Sequence, residues 1–154
     1  MNQHEFYMQK ALHYAFLCGE RGEVPVGAVI VRNGEIVAWG SNSRETKKNA
    51  LGHAEITAID RACRALHGWR LWECDMYVTL EPCSMCAGAI VNARIRNLYI
   101  GAHDEKAGAF GGKFDINSLG LCHRPTVHFG LCESEARKLL TDFFKKLRHK
   151  STKE

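Results

Sequence analysis

The chain has 154 residues, 45% of them hydrophobic and 25% charged, enough for one domain with its own core and too apolar for a disordered segment. No run of about 18 apolar residues occurs, which excludes a membrane-spanning helix. The start, Met1-Asn2-Gln3-His4-Glu5, lacks the basic-then-apolar pattern of a secretory signal. Seven cysteines, an odd number without a regular framework, point to a reduced cytoplasmic protein whose thiols are core residues or metal ligands.

Met8, Ala11, Leu12 and Ala15 recur at helical spacing, which predicts a helix over residues 4–18. Gly27 to Val31 and Ile36 to Trp39 are short apolar runs separated by Asn33-Gly34, a hairpin signal. Residues 41–51 are polar and read as a loop carrying Arg44, Lys47 and Lys48, candidates for phosphate contact or a solvated surface. A second helix starts near Ala54 and carries Ile59, Ala62, Cys63 and Leu66 on one face. Met76 to Leu80 is a third strand, and Pro82 opens a helix that runs to Ala93. Leu98 to Gly101 is the fourth strand.

Strand, helix and strand between Met76 and Gly101 imply parallel pairing with a right-handed crossover. The first hairpin is antiparallel, so the sheet is mixed and needs helices on its faces. The glycine-rich stretch Ala107 to Gly112 lacks the pattern of a phosphate-binding loop and reads as a mobile or tightly turning segment. Thr126 to Phe129 is a candidate fifth strand. Leu139, Leu140, Phe143, Phe144 and Leu147 mark one face of a last helix, with Glu133 and Glu135 at its start and basic residues at its end. No repeat or linker divides residues 1–154, which read as a single domain with a basic tail over 145–154. That tail holds Lys145, Lys146, Arg148, Lys150 and Lys153 against Glu154 and so carries the whole net charge of +4. It is either a frayed, solubilising end or a patch for phosphates.

Two short motifs carry chemistry: His53-Ala54-Glu55 and Pro82-Cys83-Ser84-Met85-Cys86. Each opens a predicted helix. Cys83 and Cys86, one turn apart, point their sulfurs to one side. Free amides at a helix start favour the thiolate form. Thiolates with an imidazole suit zinc. If the two helix starts converge, His53, Cys83 and Cys86 make three ligands and leave a fourth position for water, as in a catalytic zinc site. Glu55 then stands beside the metal as a general acid and base. A closed structural zinc site would instead recruit a fourth ligand from Cys63, Cys74, Cys122, His67 or His123. A redox pair at Cys83 and Cys86 would leave His53 and Glu55 without a role.

These motifs resemble the cytidine/deoxycytidylate deaminase superfamily. Further segments resemble one branch of it, the bacterial tRNA-specific adenosine deaminases (the TadA family). They are Glu23-Val24-Pro25-Val26-Gly27-Ala28-Val29, Asn42, residues 77–89, Gly101-Ala102-His103-Asp104 and Asp142-Phe143-Phe144. His103 stands where close relatives are expected to have arginine, and Cys122 where they have a polar residue. The resemblance implies a three-layer α/β/α fold with a five-stranded mixed sheet, one zinc ion per chain, and a homodimer. It implies hydrolytic conversion of the wobble adenosine of a tRNA anticodon stem-loop to inosine, with zinc-activated water attacking C6 and Glu55 relaying protons. Asn42 and the backbone of Ala54 would then hold the base, Val26 and Leu80 would line its pocket, and Asp104, Phe143 and Phe144 would contact neighbouring nucleotides. The alternative is a deaminase of a free nucleobase or nucleotide, of the guanine or cytosine type.

Overall fold

The computed structural model describes residues 1–153, with side chains through Ser151. Glu154 and the side chain of Lys153, both part of the basic tail, lie outside the described residues. The elements in chain order are α1 (Gln3–Glu20), β1 (Gly27–Arg32), β2 (Glu35–Ser41), α2 (Arg44–Lys47), α3 (Ala54–Leu66), β3 (Cys74–Leu80), α4 (Ser84–Ala93), β4 (Asn97–Ala102), β5 (Thr126–His128) and α5 (Glu133–Lys153).

They form one five-stranded sheet in the order β2-β1-β3-β4-β5. β1 is antiparallel to both β2 and β3, while β3, β4 and β5 run parallel. The mixed sheet and the parallel β3–α4–β4 unit agree with the sequence reading. Both faces of the sheet's centre are covered, so β1, β3 and β4 read as largely apolar, buried runs, while the edge strands β2 and β5 stay partly exposed. Ala28, Ile30, Met76, Val78, Leu98 and Ile100 face α3 and α4. Val29, Val31 and Tyr77 face α1 and the start of α5. This gives three layers, α/β/α.

Helix α1 starts earlier than its apolar spacing suggests because Asn2 and Glu5 form a reciprocal cap, with the Glu5 N–H donating to Asn2 Oδ1 at 2.8 Å. The polar segment 41–51 is not wholly loop, since it contains the single turn of α2. The basic tail is helical through Lys153 rather than frayed. Among the described residues, no helix is long and apolar enough to cross a membrane.

One close approach fixes the start of α3. A Cβ on Gly40 would lie 2.2 Å from the Ala54 carbonyl oxygen. Any larger residue on β2 would push the first turn of α3 away from the sheet.

Candidate metal centre and pocket

Parallel strands β3 and β4 both end where α3 and α4 begin, and their carboxyl ends open into a cleft, the usual place for a site in such sheets. His53 is the N-cap residue of α3 and Cys83 that of α4, and neither makes a side-chain cap hydrogen bond. Both side chains are therefore free to turn into the cleft. His53 Nδ1 lies 3.6 Å from Cys83 Sγ and 3.4 Å from Cys86 Sγ. All three donor atoms fall within 4.8 Å of one another.

That spacing fits a tetrahedral ion. Zinc–nitrogen and zinc–sulfur bonds of about 2.0 and 2.3 Å set neighbouring donors about 3.5 Å apart. Among the described residues, no further cysteine, histidine or carboxylate joins this cluster. Of the candidates for a fourth ligand, Cys74 begins β3 at the far end of the strand, His123 bonds the Ile95 carbonyl through Nε2 at 2.6 Å, and Cys122 is exposed.

The thiols are polarised unequally. Cys83 is held well below the usual thiol range, first by the hydrogen bond from the Cys86 side chain, and also by the Cys86 and Met85 backbone amides and the nearby His53 ring. Cys86, fully buried, is pushed up by that same pairing and by desolvation. Glu55 occupies the first turn of α3 and is 4% exposed. Burial pushes its carboxyl up to about 7, with the Cys83 charge adding to the rise, against the opposing pull of its own backbone N–H and of His53.

Above these groups is a cavity of about 180 Å³. It is small beside the roughly 300–1,000 Å³ of pockets that enclose drug-sized ligands, and its size suits one planar ring system. His53, Glu55 and Cys83 form its floor, and Val26, Ala54 and Leu80 contribute apolar surface. Asn42 and Asp104 stand on opposite walls with Arg44 and Ala107. Asn42 also braces its own loop: its Nδ2 donates to the Val24 carbonyl at 3.2 Å, and its Oδ1 accepts from the Arg44 N–H at 3.2 Å. Asp104 does the same on the other side, where its Oδ1 accepts from the N–H groups of Lys106 and Ala107 at 3.1 and 3.2 Å.

Phe143 and Phe144 are not brought to this cavity. Their rings meet edge to face at 5.3 Å on α5. Phe143 lines a separate groove with Phe16, Pro25 and Leu139, and Phe144 is exposed.

Two further carboxylates shape the pocket; both fall in segments that carry the family resemblance, but no role is attached to them there. Glu23 and Glu81 are buried carboxylates, 1% and 2% exposed, and each gathers backbone amides from a wall loop. Glu23 accepts from the N–H groups of Glu45 and Thr46 at 3.1 and 2.7 Å and from the Thr46 hydroxyl. Glu81 accepts from Asp104, Phe110 and Gly112 and from the His103 ring. The available signal was a carboxylate set directly against apolar neighbours, Val24 in one case and Leu80 in the other.

A family model described as MafB19-like deaminase matches residues 2–148. The chain is 45% identical over 151 residues to a Bacillus subtilis protein named tRNA-specific adenosine deaminase, covering 97% of this chain and 94% of that one. A solved structure from work on A-to-I editing by tRNA:A34 deaminases at the wobble position superposes with a TM-score of 0.81 at 45% identity, covering 88% of this chain and 99% of the other. A guanine deaminase structure from Nitrosomonas europaea superposes with a TM-score of 0.79 at 26% identity, covering 90% and 83%.

Proposed function

The chain belongs to the tRNA-specific adenosine deaminase family, and on that premise we propose that it converts the wobble adenosine of a tRNA anticodon to inosine. The observation that carries the reading lies at and just beneath the floor of the cavity: three zinc-type donors from two helix starts, with a buried carboxylate beside them.

His53, Cys83 and Cys86 would hold one zinc ion. Such an ion with three protein ligands lowers the pKa of a water at its open position from 15.7 to about 7, making a nucleophile available at neutral pH. Glu55 moves the protons. It takes one from the attacking water and delivers it to N1 of the base as the C6–O bond forms. It then carries the second water proton to the exocyclic nitrogen, and the C6–N bond breaks as ammonia leaves. Atoms balance: adenosine and water give inosine and ammonia, and Glu55 returns to its starting state.

The rest of the pocket orients the base. Val26 and Leu80 clasp the ring, and the Asn42 amide and Ala54 backbone hydrogen-bond its edge. A base must leave its stack to reach such a cavity, which costs least where it is already unpaired, as in an anticodon loop. Asp104 meets the adjoining nucleotide. Arg44, Lys47, Lys48 and the basic end of α5 meet phosphates, and Phe143 and Phe144 offer rings to bases farther along the loop. The protein works in the cytoplasm as a homodimer.

The test compares turnover per active site on an anticodon stem-loop with turnover on free adenosine, cytidine and guanine. The stem-loop is expected to react far faster, because the small substrates forgo the binding energy of flanking nucleotides. Faster reaction with guanine would replace this substrate with a free base and leave the zinc chemistry standing.

A further inference from the structure

We propose that Glu81 is a positioning residue for substrate recognition: its carboxylate, which takes no part in proton transfer, builds the pocket wall that carries Asp104 and Ala107. The inference deepens the wobble-adenosine reading and rests on it for the identity of the substrate.

Glu81 follows the last residue of β3, and its side chain is 0% exposed. A carboxylate buried that deeply is costly unless each oxygen finds donors. Both do. Oε1 accepts from His103 Nδ1 at 3.0 Å and from the Asp104 N–H at 3.1 Å. Oε2 accepts from the N–H groups of Phe110 at 3.0 Å and Gly112 at 2.9 Å. The partners come from the beginning and the end of segment 103–112. One side chain therefore ties both ends of the segment and closes it into a loop around itself. Charge-assisted bonds of this kind are about twice as strong as neutral ones.

The glycines of the segment fit the same role. A Cβ at Gly108 would lie 2.2 Å from Glu81 Oε2, and one at Gly112 would lie 2.0 Å from the Asp104 carbonyl oxygen and 2.9 Å from Oε2. The backbone wraps the carboxylate as closely as it does because these positions have no side chain. His103 extends the anchorage, since its ring stacks on Phe129 at 4.3 Å and 13°, just past β5.

What this wrapped loop presents to the cavity is Asp104 and Ala107, with Glu81 itself along the base of the wall. No other side chain donates to or accepts from the backbone at Phe110 or Gly112 in the described residues. Take the carboxylate away and these amides lose their partner, and the wall is left with its backbone ties alone, such as the Ala109 N–H to the Pro82 carbonyl at 2.9 Å, to place it against the substrate. Glu55 and the three metal donors stand on α3 and α4, outside the loop, and are left in place.

The experiment uses the full-length, zinc-loaded protein with Glu81→Ala, Glu81→Asp and Gly112→Ala variants. In Glu81→Ala, KM for the anticodon stem-loop should rise by about tenfold or more while kcat falls much less, since uniform substrate binding is what is lost. Zinc content should stay at the wild-type level. Hydrogen exchange at the amides of Asp104, Phe110 and Gly112 should accelerate. Added formate or acetate should refill the cradle and slow that exchange again, while chloride at equal ionic strength should not. Glu81→Asp should restore part of the KM. Gly112→Ala, which keeps the carboxylate but crowds the loop, should raise KM in the same direction, and it decides the matter if Glu81→Ala does not fold. Unchanged KM and unchanged exchange in Glu81→Ala or Gly112→Ala would overturn the proposal, as would loss of zinc in Glu81→Ala, which would place Glu81 with the metal donors instead. The exchange arm needs no turnover, so a wrong substrate and a wrong role for Glu81 give different results.

Discussion

The floor and the walls of the pocket are built on opposite principles. The donors sit at the N-cap and first-turn positions of two helices, and their positions follow from how α3 and α4 lie on the sheet. The walls are loops with little regular structure, and their shape comes from buried carboxylates. Glu23 gathers the segment that includes α2, and Glu81 gathers segment 103–112. On the proposed reading, chemistry that tolerates little displacement is placed on rigid elements, and recognition, which must follow the shape of a polynucleotide, on tethered loops.

The sharpest way to separate the two regions is to damage the floor. Glu55→Gln should keep the zinc and the fold yet lose about 10²–10⁴ of turnover, the usual worth of an acid–base group. Cys83→Ala should lose the metal as well and fall to background. Elemental analysis alongside single-turnover kinetics checks both. Near wild-type turnover in Glu55→Gln would remove the division altogether.

A smaller effect is expected at the wall opposite Glu81. Burial tends to raise the Glu23 carboxyl, but the Thr46 hydroxyl, the Thr46 and Glu45 amides and the Arg44 charge outweigh it and hold the group below its usual value. The folded-state value is thus depressed relative to an unfolded value near about 4.3. The stabilisation is present in full above that unfolded value and is lost as pH falls through the folded one. Urea midpoints of the wild type and Glu23→Gln should therefore differ at pH 7 and converge only in acid, once pH has fallen below the folded value of Glu23. A gap that persists there would mean that Glu23 acts through shape rather than charge.

The smallest effect is expected farthest from the cavity. Removing residues 145–154 should leave kcat unchanged and shallow the salt dependence of RNA binding by roughly 0.7 log units for each phosphate that the tail had neutralised. An unaltered slope would confine recognition to the walls and leave the tail as a solubilising extension.

The two regions also differ in how far they could be read from sequence. The floor lies in two short contiguous motifs whose residue types state their chemistry, so His53, Glu55, Cys83 and Cys86 stand out before any fold is known. The strands and long helices were equally legible, because apolar periodicity records burial directly. The walls depend on one side chain meeting amides 22 to 31 residues away. Backbone donors leave no mark in the sequence, so Glu23 and Glu81 stand there only as members of the segments of family resemblance, with no role attached. The glycine-rich stretch after Asp104 was visible as a turn, but not the carboxylate it encloses. Phe143 and Phe144 were grouped with the target by resemblance, and only the packing of α5 against α1 shows their distance from the cavity.

The uncapped starts of α3 and α4 carry one more consequence, for thermodynamics rather than for catalysis. A conventional cap such as Ser or Asp in place of His53 or Cys83 would stabilise each helix by about 1 kcal/mol. This protein instead leaves those two N-cap side chains for an ion. An ion that binds the folded chain and not the unfolded one shifts the folding equilibrium by an amount set by its free concentration. On the proposed reading of the site, the chain's resistance to unfolding is therefore a property it shares with the metal supply around it.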